Sequence, residues 1–232
     1  MDKPAIFPIE GSIAATGEFF RRVYNWMGVG LALTGVVAFF TATSEPMLQL
    51  VLGNRWMFYG LIIAQIGMVI GLSAAINRLT AVQATLLFCA YAALSGLTFA
   101  SIFVVYTASS IASTFFITAG TFTAMSVYAH VTKRDLTSWG SFLFMGLIGV
   151  VIASVVNIFL QSAMVTWVVS CIGVLVFTGL TAYDTWSLKQ MARYGFADEE
   201  TARKAGIIGA LKLYLDFINL FLMLLNLLGD RR

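Results

Sequence analysis

The sequence predicts an all-α, polytopic membrane protein with seven transmembrane helices, on three observations. Apolar runs of about 20 residues, the length that crosses roughly 30 Å of hydrocarbon, recur along most of the 232 residues. Hydrophobic residues make up 59% of the chain and charged ones 11%, against about 25% charged in an ordinary soluble domain, so no room remains for a soluble domain. The runs also lack barrel alternation, and backbone polar groups in lipid must be satisfied within a helix or a closed barrel. Each run is therefore read as a helix.

The first run covers residues 24–43 and stops at Ser44, Glu45 and Pro46. The second covers 56–77, where Arg78 interrupts it, and the third covers 81–106. Residues 107–110 make a tight turn into a fourth run that ends near His130, and Lys133, Arg134 and Asp135 mark a polar loop before the fifth, 139–160. The sixth starts near Ala163. Its hydropathy falls after Ala182, but residues 184–193 contain no Gly or Pro, so the helix is expected to continue to Tyr194 with Gly195 as its terminator. Residues 198–204 read as a charged linker, and the last run resumes near Gly206 and ends at Leu228. Residues 1–22 carry Asp2, Glu10 and Glu18 and no compact apolar core beside a small-residue cleavage site. They are expected to be a polar cytoplasmic tail and not a signal peptide, with residues 23–230 forming the membrane domain.

Basic residues set the orientation. With seven spans and the N-terminus inside, Lys3, Arg21, Arg22, Arg78, Lys133, Arg134, Lys189, Arg193, Arg203 and Lys204 fall on the cytoplasmic side, and only Arg55, Arg231 and Arg232 fall opposite. That asymmetry favours N-in, C-out. Lys212, in the first turns of the last run, snorkels most easily to the cytoplasmic side. Arg231 and Arg232 would suit the cytoplasm if the last segment were re-entrant.

Asp184 and Asp216 are the carboxylates that lie inside apolar runs and not in a loop or tail. An ionisable group in hydrocarbon costs about 3 kcal/mol or more, so it usually faces a polar pathway and usually has a partner. Asp184 lies 11 residues before Gly195 and Asp216 lies 10 after Gly206. At about 1.5 Å per residue, both sit about 15 to 17 Å from the turn on antiparallel neighbours, and they are expected to meet. In a poor dielectric they cannot both ionise cheaply, so one proton is shared at neutral pH and the pair titrates as a unit. When both are ionised, the same oxygens suit a transient Ca²⁺, with waters or backbone carbonyls completing the six or more ligands that calcium takes. The bland alternative is a hydrogen-bonded carboxyl pair that locks two helices, a task apolar residues perform more cheaply. Asn219, three residues after Asp216 on the same helix face, is placed to support the pair or line a path beside it.

The surrounding text is Phe177-Thr-Gly-Leu-Thr-Ala-Tyr-Asp184-Thr and Leu213-Tyr-Leu-Asp216-Phe-Ile-Asn-Leu-Phe221. Together with Thr132-Lys-Arg-Asp-Leu136 before the fifth run and Ala108-Ser-Ser-Ile-Ala-Ser-Thr114 opening the fourth, it resembles the Bax inhibitor-1 family, in its bacterial inner-membrane branch, over about residues 19–230. The resemblance implies a last helix central in the bundle, wrapped by the other six, and a pH-sensitive calcium leak. It implies that Asp184 and Asp216 form a pH-sensing pair beside the ion path, with Arg78, at the end of the second helix, as the positional match of an arginine latch. Asn226 stands where related sequences often carry a basic residue.

Other classes fare less well. Intramembrane aspartyl proteases also pair two aspartates, but they use Gly-x-Gly-Asp on the second helix, where positions 213 and 215 are Leu here, and a later Pro-Ala-Leu motif, where the last proline here is Pro46. No enzyme is expected and no cofactor. The resemblance also accommodates an interaction protein without transport, since the family includes members linked to suppression of cell death and bacterial relatives associated with a membrane-bound AAA protease. The expected partners are therefore the lipid bilayer, Ca²⁺, protons and such a membrane protein; no nucleic-acid patch is present. His130, the one histidine, reads as an interfacial polar residue and cannot make a zinc site alone. Cys89 and Cys171 lie within apolar runs and read as small core residues. Gly28, Gly67, Gly71, Gly96 and Gly173 read as helix-packing positions, and Trp26, Trp56, Trp139 and Trp167 as interface anchors.

Overall fold

The computed structural model describes residues 13–232, with side chains described from Ala15 onward; the predicted tail before Ile13 lies outside the described residues. Eight helices follow: α1 (Ile13–Thr43), α2 (Glu45–Leu52), α3 (Arg55–Ala75), α4 (Ala81–Val105), α5 (Ala108–Val131), α6 (Thr137–Leu160), α7 (Ala163–Tyr194) and α8 (Glu199–Leu228). All but α2 are long and apolar enough to cross a membrane, and they coincide with the seven predicted runs. Among the described residues there is no strand, only an isolated bridge between Tyr106 and Arg231.

Three boundaries differ from expectation. α1 begins at Ile13, so residues 13–22 continue the first span as helix. The stop at Ser44, Glu45 and Pro46 is the start of α2, with its proline in the first turn, where a missing N–H costs nothing. The charged stretch 198–204 is not a linker. Asp198 caps α8 by accepting from the Thr201 backbone at 2.6 Å, and Glu199 and Glu200 occupy the first turn, where negative charge suits the helix dipole. At the other end of that hairpin Gly195 terminates α7 as expected, with φ of 76°, a left-handed setting that glycine adopts freely.

α8 is the most buried span. α1, α4, α5 and α7 make its main contacts, while α3 packs chiefly on α4 and α6 on α7. The tightest cross-tie joins three helices. The Thr34 hydroxyl on α1 donates to the Ala92 carbonyl on α4 at 2.9 Å, so its oxygen is left to accept from the Tyr214 hydroxyl on α8 at 2.7 Å. The Tyr214 ring meets Phe88 and Tyr91 edge-on. Gly96 permits this approach, since a Cβ there would stand 2.7 Å from the Thr34 carbonyl oxygen. Gly173 is likewise packed, against Met223, but Gly28, Gly67 and Gly71 face open space.

The chain ends on the face that carries the α4–α5 turn. Thr107 donates its backbone N–H to Asp230 at 3.1 Å, Arg232 donates to Val105 at 2.9 Å, and the Asp230 N–H reaches Ser110 Oγ at 2.8 Å. α8 therefore crosses the whole bundle and is not re-entrant. Its N-terminal turn lies on the opposite face, tied to α1 by Arg22 and Glu199 at 2.9 Å and to α4 by Glu200, which accepts from the Ala81 N–H at 2.6 Å.

Candidate functional site

The two aspartates come together although the sequence arithmetic misjudged the hairpin. From its real ends, Asp184 lies ten residues before Tyr194 and Asp216 lies 17 after Glu199, about 15 Å and 26 Å of helix. α8 overshoots α7 by two turns, and residues 195–198 make up the difference. The carboxylates interact electrostatically across the α7–α8 seam. Asp216 is only 4% exposed, and its Oδ2 is buried with no hydrogen-bond partner. Asp184 has one ionic partner, the Lys212 ammonium, 3.7 Å from its Oδ1. Lys212 and Asp216 are four residues apart on α8, hence on one face, so the lysine reaches across the seam from the turn preceding its own aspartate.

The site is asymmetric along the membrane normal. One turn from the pair toward the C-terminal face stand Leu180 on α7 and Leu220 on α8, i−4 and i+4 to the aspartates. Both belong to an apolar cluster with Leu143, Val176, Phe177 and Leu224. Lys212 is 44% exposed and Asp184 15%, whereas Asp216 is 4% exposed. The arrangement is two carboxylates and one ammonium, half-exposed at the lysine and backed by leucine on the side of the C-terminal face. Among the described residues no group of three or more His, Cys, Asp or Glu side chains gathers anywhere. A cation at the pair would thus have two carboxylates and would draw its remaining oxygens from water or backbone carbonyls, a set suited to passage more than to storage.

Other candidates stand apart. Arg78 is exposed in the turn after α3, where only its backbone is bonded, to Ala75, and α3 does not pack on α7 or α8; the structure does not bring it to the pair. The Asn219 amide donates to Leu215 of its own helix at 2.8 Å and not to Asp216. Asn226 accepts from the Tyr106 hydroxyl at 3.0 Å, near the C-terminal face. His130 Nδ1 lies 2.8 Å from the Ser126 carbonyl, and the Lys189 ammonium donates to the His130 carbonyl. Lys212 is the residue that sequence reasoning missed as part of the site. Its spacing from Asp216 was a legible signal, outweighed by the snorkelling expected of a lysine near a span end.

Seven apolar helices and a buried, lysine-tethered acid pair define a multi-pass membrane protein with an ionisable site inside its bundle. The family described as inhibitor of apoptosis-promoting Bax1 matches residues 16–232. The inner membrane protein YbhL of Escherichia coli K12 is 54% identical over 231 residues, covering 97% of this chain and 99% of its own length. An uncharacterized protein of Borreliella burgdorferi is 44% identical, covering 95% of each chain, and an uncharacterized membrane protein of Streptococcus pyogenes is 35% identical over 91% of this chain and 92% of its own. The chain belongs to the Bax inhibitor-1 family.

Proposed function

We propose that the protein is a pH-sensitive calcium leak of the bacterial inner membrane, with the N-terminus in the cytoplasm, the C-terminus outside and the Asp184–Asp216 pair as its gate. The observation that carries this reading is the pair itself: an unpartnered carboxylate oxygen on a nearly inaccessible aspartate, beside a second aspartate held by one ammonium. No packing need explains that arrangement. With Asp216 protonated, the Lys212–Asp184 ion pair leaves the site uncharged, the cheap state in hydrocarbon, and the leucines beyond it stay closed. When Asp216 ionises, the site gains net negative charge, the two carboxylates repel, and a divalent cation is drawn in past Lys212. Flux therefore rises with pH. An Arg78 latch would give the opposite sign, because protonation would release it and open the path. The inner-membrane assignment leans on the likeness to the inner membrane protein YbhL, and the pair serves ion passage with no bond-breaking chemistry.

Ca²⁺ influx into proteoliposomes, scanned from pH 6 to 8, tests the reading with wild type and the double variant Asp184→Asn, Asp216→Asn. A flux that rises with pH in the wild type and loses its pH response in the variant is expected. Wild-type protein that is folded and gives no flux above empty liposomes at any pH would sink the leak.

A further inference from the structure

Away from the acid pair, the face opposite the C-terminus carries a groove of about 480 Å³ between α1, α4 and α8. Its rim is basic and its floor apolar. Arg22 and Arg203 line it from the N-terminal parts of α1 and α8, and Trp26, Val82, Leu86 and Ile207 continue it toward the hydrocarbon. Val82 and Leu86 are 69% and 64% exposed, so that floor lies open to lipid and not to a neighbouring helix.

The two guanidiniums share one close carboxylate. Arg22 Nη2 lies 2.9 Å and Arg203 Nε 3.1 Å from the same Glu199 Oε1, with Glu18 farther from Arg22 at 3.6 Å. Each guanidinium has five donors, and Glu199 engages one nitrogen of each, which fixes both heads at the groove mouth with donors to spare. Glu200 accepts from the Ala81 N–H, which ties its carboxylate to the backbone of α4. Arg21 and Lys204 stand next in sequence to Arg22 and Arg203, so four basic residues stand with four acidic ones, Glu18, Asp198, Glu199 and Glu200, at these two helix starts.

We infer that this groove binds one anionic phospholipid, of the cytoplasmic leaflet on the N-in orientation proposed above, its phosphate between Arg22 and Arg203 and an acyl chain along Val82, Leu86 and Ile207. Basic pockets between spans on the cytoplasmic side suit anionic headgroups, guanidinium is the side chain best matched to phosphate, and Trp26 one turn below Arg22 marks the headgroup boundary. A zwitterionic headgroup carries an ammonium of its own, which the two arginines repel. The lipid would bridge the first, third and last spans.

Native mass spectrometry of the detergent-purified full chain, titrated with phosphatidylglycerol or phosphatidylethanolamine, tests this. One phosphatidylglycerol should bind wild type about tenfold tighter than phosphatidylethanolamine, and Arg22→Gln with Arg203→Gln should reduce it to the phosphatidylethanolamine level. Because Arg22 also ties α1 to α8, a second variant keeps both arginines: Val82→Trp, which fills the floor, should lose the same adduct while keeping the wild-type melting temperature. Equal binding of the two lipids, or an adduct that survives both variants, overturns the inference. So does displacement of the lipid by an equal concentration of inorganic phosphate, which would make this a site for the free ion.

Discussion

Lys212 changes what the acid pair is. A cation tethered to the helix of one aspartate and paired with the other occupies part of the space a permeating ion needs, and the two must compete. Lys212→Met is expected to lower the Ca²⁺ concentration for half-maximal flux by about two- to five-fold, the modest scale of a half-exposed ion pair, while Lys212→Arg stays near wild type; flux against external Ca²⁺ measures both. Asp135 and Asp198, outside the spans, do not contribute to a pH response between 6 and 8. Asp135 accepts from the Thr137 hydroxyl and backbone, and Asp198 from the Thr201 backbone; these bonds hold both carboxyls below the usual range. A depressed carboxyl contributes stability above its unfolded pKa and loses it as pH falls through the folded one, below the usual carboxylate range for both. Each is therefore fully ionised across the scan, so Asp135→Asn should leave the pH profile of flux unmoved. On the far side of α8, Thr34→Val strands the Tyr214 hydroxyl in the core. A loss of about 1–2 kcal/mol is expected, read by thermal unfolding in detergent, with Thr34→Ser restoring most of it.

At the scale of the helix, the spans were legible because hydrocarbon thickness imposes a length and lipid imposes a composition, and both are written residue by residue. The ends were less so. Hydropathy reports where a helix leaves the membrane, not where it stops, so α1 and α8 run on through charged turns that the pattern assigned to a tail and a linker. The pair itself was legible from two buried charges on adjacent runs. Its seal was not, because Leu180 and Leu220 look like any other leucines until the α7–α8 register sets them one turn beyond the aspartates. Small residues misled in part: Gly96 and Gly173 are packed, while Gly28, Gly67 and Gly71 face open space, and a spacing of four marks a possible contact without saying which helix fills it. Two substitutions separate these roles. Leu220→Ser should hydrate the seal and raise basal Ca²⁺ flux several-fold at acidic pH, where the wild type is closed. Gly96→Val drives a side chain into the Thr34 carbonyl and should cost about 1–3 kcal/mol, seen as a lower melting temperature.

For the whole molecule, the two faces are built differently. One is charged, with α1, α4 and α8 joined by Arg22, Glu199 and Glu200. The other is tied together by residues 230–232: they add backbone bonds to the α4–α5 turn, and the Arg231 guanidinium lies over the Tyr106 ring, 5.8 Å from its centre. Arg232 is thus a working part of that face, and anything fused to it inherits that position. A fluorescent or enzymatic reporter attached there for mapping topology, or an affinity tag attached for purification, would pull on the α4–α5 turn at the moment it is meant to be a bystander.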